Sequence, residues 1–227
     1  HDLDLIMWMM SGIAPARVSS FGSNMYFNEA HAPKDAGTRC MVDCPIEADC
    51  LYSAKKHYVD HPKRWAFYVW DTLEHIDNPT IEQKIESLKT TNPYGRCVWK
   101  CDNDVVDHQS VVVEFEDGCT ATHNMVGGTS RPSRAIHLLG TNGEIQGVFE
   151  DSKFVLRHID PRSGHEYSEE IIDLNEDGGD MHGAFGGHGG GDLRLVSDFV
   201  NLVRGTETSL SCTRIDDSVN GHLVGFC

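Results

Sequence analysis

Two dipeptides constrain this chain more than any other feature. Asp117-Gly118 and Asn142-Gly143 each sit between runs of apolar and β-branched residues. Such pairs favour the left-handed backbone of a tight hairpin turn, so the flanking runs pair antiparallel. The runs Arg96–Cys101, Gln109–Glu116, Cys119–Val126, Arg134–Leu139, Glu144–Phe149, Lys153–His158 and Glu166–Leu174 read as successive strands of one meander. Parallel strands would need a long crossover between them, and the connections are too short for that. A chain of βαβ units is therefore excluded across this stretch.

The flanks read as helical. Leu3, Ile6, Met7 and Met10 fall on one side of a helix over 1–11, with Asp2 and Asp4 at its start, where acids suit the helix dipole. Arg17–Phe21 reads as a strand before a polar loop, and 39–50 as a cysteine-rich loop. Helices follow over 51–58 and 63–70. Another is expected over Thr80–Leu88, with Thr80 and Glu82 at its opening turn and Ile81, Ile85 and Leu88 as its stripe. After the Gly-rich segment 175–191, Asp192 reads as the cap of a helix carrying Leu193, Val196, Phe199, Val200 and Val203, and a last helix starts near Ser211. The expected class is α+β: an open, mostly antiparallel sheet with helices on one face. Val111, Val113 and Phe115 lie on one side of their strand and Val112 on the other. With both faces apolar, a second copy of the chain is expected to cover the open one, giving a homo-oligomer.

Charge narrows the function. Thirty-five acids against 19 bases leave a formal net charge of −16. Nucleic-acid and membrane-surface binders need basic patches, so neither is expected. The longest apolar run, Leu5–Met10, is far short of the ~20 residues of a membrane span. Eight cysteines in 227 residues are too sparse for a secreted disulfide scaffold, and a reducing cytoplasm is the expected location. The sequence opens on His1 in the middle of an amphipathic pattern and stops at Cys227 within an apolar run, which reads as one domain, 1–227, cut from a longer protein.

Four groups of residues carry chemistry. His1-Asp2-Leu3-Asp4-Leu5-Ile6 places an imidazole and two carboxylates at a helix start, as general acid/base chemistry requires or as simple capping would produce. Cys40, Cys44 and Cys50 lie within eleven residues and can wrap one soft tetrahedral ion, zinc by default, with Cys97 or else Cys101 as fourth ligand; buried free thiols or a disulfide are the alternatives. Gly186-Gly187-His188-Gly189-Gly190-Gly191-Asp192 would let backbone approach a ligand, with His188 and Asp192 presenting polar groups, or would be a loop ending in a cap. Tyr94-Gly95-Arg96 and the polar run Asp102–Gln109 crowd the start of a strand, as at a site on a sheet edge or in a loop closing a core.

Taken in order, these segments resemble the Gfo/Idh/MocA family of NAD(P)-dependent sugar oxidoreductases. His1–Ile6 resembles the His-x-x-Asp-Leu segment that opens the family's second domain. Arg39–Ala54, Tyr94–Gln109, Leu139–Gly147 and the Gly-His-Gly-Gly-Gly-Asp run are similar to one subgroup of it. The resemblance implies a C-terminal domain that binds substrate and makes oligomer contacts, while a separate Rossmann domain, absent here, binds NAD or NADP. It implies a catalytic role for His1 and substrate contacts from Asp4, Tyr94, Arg96, His188 and Asp192. It also places the family's catalytic Asp and Lys upstream of residue 1, so that this stretch alone would be inactive. The expected substrate is a sugar or cyclitol hydroxyl. An NAD-dependent glycosidase working by transient oxidation, and a sugar-binding relative without catalysis, are the rival readings.

Overall fold

The computed structural model describes residues 1–10, 12–61, 66–174, 191–213 and 215–226. They are α+β, with seven strands in two antiparallel sheets. The chain divides into two compact units, Ile13–Gly128 with Phe226–Cys227, and His1–Gly12 with Thr129–Gly225.

In the unit built from 13–128, β1 (Pro15–Ser23), β2 (His108–Phe115) and β3 (Thr120–Val126) form a three-stranded sheet in that order. Asp117-Gly118 makes the β2–β3 hairpin: Gly118 takes φ 86°, open only to glycine without strain, and its amide donates to the Phe115 carbonyl at 2.9 Å. Val18 pairs with Val113, and Val113 with Ala121. Along β2, Val111, Val113 and Phe115 are buried while Val112 is 45% exposed, the two-residue alternation expected of a half-buried strand.

The helical part of this unit is irregular. A single π-helical turn spans Lys55–Asp60, and α2 (Ala66–Val69) is one turn long. The α3 helix (Ile81–Lys89) begins with a reciprocal capping box: Thr80 Oγ1 accepts the Gln83 amide at 3.3 Å, and Gln83 Oε1 accepts the Thr80 amide at 2.8 Å. Thr80 is thus the cap, and Gln83 completes the box. Leu88, Val69 and Leu73 are buried.

The segment 96–101 is not a strand. It makes one isolated bridge, Arg39 to Arg96, and then turns, with the Lys100 amide donating to the Cys97 carbonyl at 3.0 Å. Its alternation of Cys97, Trp99 and Cys101 mimics a strand because Cys97 and Trp99 both enter a small core with Phe27 and Ala36. The aromatic rings there pack edge to face: Phe27 and Tyr52 at 5.1 Å, Tyr52 and Trp99 at 5.2 Å.

In the other unit, α1 (Asp2–Met9) packs on α5 (Ile215–Gly225), with Met7 and Val224 buried. Gly221 is buried facing α1, where a Cβ would meet the Asp4 Cα at an ordinary contact distance of 3.4 Å. β4 (Ala135–Leu139), β5 (Gly143–Val148), β6 (Lys153–Ile159) and β7 (Tyr167–Asp173) form a consecutive antiparallel meander. The strands expected as one sheet therefore fall into two. The joint at 127–134 breaks the ladder: Gly128 is at φ 74°, and Pro132, having no amide hydrogen, cannot donate to it. The α4 helix (Gly191–Arg204) starts one residue before Asp192, which lies in its first turn rather than capping it. Its apolar side, Leu193, Val196, Phe199 and Val203, is exposed. Among the described residues no helix is long and apolar enough to cross a membrane.

Candidate functional site

The two acids that follow His1 in sequence are each held by the fold. Asp2 accepts from Arg134 Nε at 2.8 Å, and Asp4 accepts from the Ser218 hydroxyl at 3.3 Å. Glu150 adds a second carboxylate to the Arg134 guanidinium at 3.5 Å. His1 is the residue before the first helical turn; its carbonyl accepts the Leu5 amide at 2.9 Å, and it is exposed. The residue before β4 and a residue of α5 thus hold the two acids that follow His1 at the start of α1, while His1 itself is exposed. On the far turn of the same helix, Trp8 Nε1 donates to the Leu210 carbonyl at 2.9 Å.

Of the other residues expected to contact substrate, Asp192 lies in this unit, and Tyr94 and Arg96 lie in the other. His188 and the rest of the Gly-rich run up to Gly190 fall outside the described residues.

The Tyr94–Arg96 segment is held by Asn92 and Arg39, neither of which was expected as a site residue, and Asp107, within the polar run Asp102–Gln109 already singled out, orders a different loop. Asn92 is fully buried; its Nδ2 donates to the Val69 carbonyl at 2.7 Å and to Thr72 Oγ1 at 3.1 Å, and its Oδ1 accepts the Tyr94 amide at 3.0 Å. Arg39 Nη1 donates to the Leu88 and Asn92 carbonyls at 2.6 and 3.0 Å, placing a cation at the C-terminal end of α3 and on the turn that follows it. Asp107 gathers the loop 25–27: its carboxylate accepts the Met25, Tyr26 and Phe27 amides at 3.1, 2.6 and 2.8 Å, and His108 Nδ1 lies 3.0 Å away. Burial by itself would raise the Asp107 pKa. The hydrogen bonds from His108 and the three amides outweigh it and hold the carboxyl well below its usual range. Asn92 before a proline was the available signal, since an Asx residue there caps a turn. Asp107 was hidden in a run of three aspartates.

Tyr94 is 43% exposed and packs its ring on Tyr58 at 5.8 Å. Arg96 is paired with Asp102 at 2.5 Å, which lowers the Asp102 pKa. A guanidinium engaged by an exposed carboxylate can exchange it for a ligand at little cost.

Cys40, Cys44, Cys50 and Cys97 are reduced and unlinked. No three His, Cys, Asp or Glu side chains among the described residues converge, as they stand, on a point that could hold a metal ion. The zinc site expected on these four cysteines is thus not formed, and burial pushes the Cys40 thiol up toward its neutral form, against the opposing hydrogen bond from the Ala54 backbone. Cys101 instead donates to the Val98 carbonyl at 3.3 Å.

No family model matches the chain, and no curated protein matches it. Among solved structures, the UDP-N-acetylglucosamine 3-dehydrogenase GnnA from Acidithiobacillus ferrooxidans is similar over 100% of this chain and 44% of its own, at 11% sequence identity and a TM-score of 0.48. The chain thus spans less than half the length of that protein, and the likeness carries nothing about chemistry.

Proposed function

We propose that this chain is the substrate-binding and oligomer-forming part of an oxidoreductase that acts on a hydroxyl of a sugar or cyclitol and uses NAD or NADP. The observation that carries the reading is the His1–Asp4 turn. In the resembling family this segment supplies the proton-handling histidine. Here its two acids are tied down by Arg134 and Ser218 while the imidazole is left exposed. An imidazole so placed can take the proton of a bound hydroxyl as the carbon is oxidised. Asp4, His188 and Asp192 are proposed as contacts for neighbouring hydroxyls, Tyr94 and Arg96 are each proposed as a substrate contact from the other unit's sequence, with no common site built from the two, and a second copy of the chain is proposed to cover an open sheet face.

The described residues do not fit a dinucleotide. Both sheets are antiparallel, and no described strand leads through a glycine turn into a helix start that would cradle a pyrophosphate. The nicotinamide, which would supply a hydride acceptor when bound, is therefore proposed to bind a part of the protein outside this sequence.

The test is turnover by the full-length protein. Sugars and cyclitols are offered with NAD⁺ or NADP⁺, and the absorbance of the reduced nicotinamide is followed. Oxidation of at least one of them is expected, and His1→Ala should lower kcat at least tenfold with KM little changed, the lower part of the ~10²–10⁴ range for general acid–base groups being sufficient. Phenol release from aryl glycosides with no net nicotinamide reduction, or His1→Ala turning over like the wild type, would overturn the reading.

A further inference from the structure

The helix that begins after His1 has little of its own to hold its first turn. His1 stands at the N-cap position of α1, and its side chain makes no capping hydrogen bond. The helix is eight residues long, and so short a helix in water owes its order to contacts outside itself. Its second half has them: Met7 is buried, and the Trp8 indole donates to the Leu210 carbonyl. In its first turn Asp4 meets the Ser218 hydroxyl at 3.3 Å, and Asp2 makes an ion pair with Arg134.

Arg134 is built to receive that carboxylate. Its backbone is bonded on both sides to the turn that follows β5: its amide donates to Glu150 Oε2 at 2.7 Å, and its carbonyl accepts the Phe149 amide at 3.0 Å. Glu150 Oε1 lies 3.5 Å from Nη1, so one carboxylate grips Arg134 at both its backbone and its guanidinium. Nε then donates to Asp2 Oδ1 at 2.8 Å. A planar guanidinium already engaged at one nitrogen gives up little further freedom when it binds a second carboxylate. Arg131, three residues earlier, makes an ion pair of the same kind with Asp151 at 2.6 Å, within the connections of the sheet itself.

We propose that Arg134 is a positioning residue for His1, acting through Asp2: it stands in for the missing cap and fixes the first turn of α1 against the strand connections. The role rests on the proton-handling function proposed for His1. Asp2 follows His1 directly, so freedom at Asp2 passes to the histidine through one peptide unit. A general base must lie within hydrogen-bond reach of the proton it takes, and a base on a frayed turn meets that condition in only a fraction of the molecules. In this role Arg134 touches neither substrate nor nicotinamide, so its loss should lower kcat and leave KM nearly unchanged.

The experiment uses the full-length protein and pairs turnover of a sugar or cyclitol with amide hydrogen exchange. Arg134→Ala should lower kcat about two- to fivefold, the reach of an exposed ion pair. It should also speed exchange of the Leu5 amide, which donates to the His1 carbonyl. Arg134→Lys, which keeps the charge but not the fork, should recover part of both. Arg131→Ala should change neither. In a His1→Ala background Arg134→Ala should lower kcat no further, whereas a merely structural loss would persist there. Absence of turnover by the wild type would overturn the His1 reading and the positioning role with it. Where turnover depends on His1, any one of four results in Arg134→Ala would overturn the positioning role alone: unchanged kcat, unchanged Leu5 exchange, a rise in KM in place of the fall in kcat, or an undiminished loss in the His1→Ala background.

Discussion

Asp107 accepts the backbone amide of Phe27 at 2.8 Å, joining residues eighty positions apart. The same carboxylate takes the two preceding amides, so one side chain orders the whole turn that delivers Phe27 to the core beside Trp99. Replacing it with leucine removes every acceptor and leaves three amides without a partner in a part-buried place. Asp107→Leu should lower Tm by several degrees and lose the near-ultraviolet dichroism of the Tyr26, Phe27, Tyr52 and Trp99 rings. Asp107→Asn, which keeps one acceptor oxygen, should fall between that variant and the wild type. Equal melting of all three proteins would show that the turn is held by something else.

Gly95 packs against the last turn of α3. A Cβ on it would overlap the Leu88 carbonyl oxygen, which is backbone and is itself held by Arg39. Gly95→Ala is therefore expected to reach or exceed the upper end of the ~1–3 kcal/mol typical of overpacked positions. Chemical denaturation should report it as a fall in midpoint at unchanged slope. Gly118→Ala, where a Cβ would meet nothing and only the positive φ is unfavourable, should cost less.

Stability should fall in acid through the cysteine loop. Hydrogen bonds from the Thr38 amide and hydroxyl and from the Arg39 amide lower the Asp43 pKa to about 2. A carboxyl whose folded pKa is depressed contributes stability above its unfolded value, ~3.9, and loses it as pH falls toward the folded one. The difference in stability between wild type and Asp43→Ala should thus be level above about pH 5 and shrink between about pH 4 and 2. A difference independent of pH across that window would mean that the ionised form is not what holds the loop.

The alternation along β2 gives a paired test. Phe115 is 1% exposed, and Phe115→Ala should cost ~3–5 kcal/mol. Val112 faces outward, and Val112→Ala should stay within ~0.5 kcal/mol when measured on the monomer. Comparable losses from the two would place Val112 in a core.

Much of the β architecture was legible because its signals are local. Asp117-Gly118 specifies its turn through the left-handed backbone of Gly118, whereas Asn142-Gly143 marks the β4–β5 hairpin without taking positive φ, Gly143 being already the first residue of β5; a two-residue period then assigns each neighbour to a face. Six of the seven meander segments are strands within a residue or two of their expected limits. The same locality explains α3, where Thr80 and the Ile81, Ile85 and Leu88 stripe need no distant partner to be read. Segment 96–101 failed because alternation records which side chains are buried, and a turn entering a core can bury alternate residues as a strand does.

The sequence by itself determined the antiparallel hairpins, the amphipathic helices, the acidic surface and the clustering of cysteines along the chain. Tertiary structure alone decided that the strands part into two sheets, that Asp107 orders the Phe27 turn, that Asn92 and Arg39 close the end of α3, and that Cys97 stands beside Cys40. These depend on groups tens of residues apart meeting in space. Hydrogen bonds between one carboxylate, amide or guanidinium and remote backbone leave no period and no motif in the residues between.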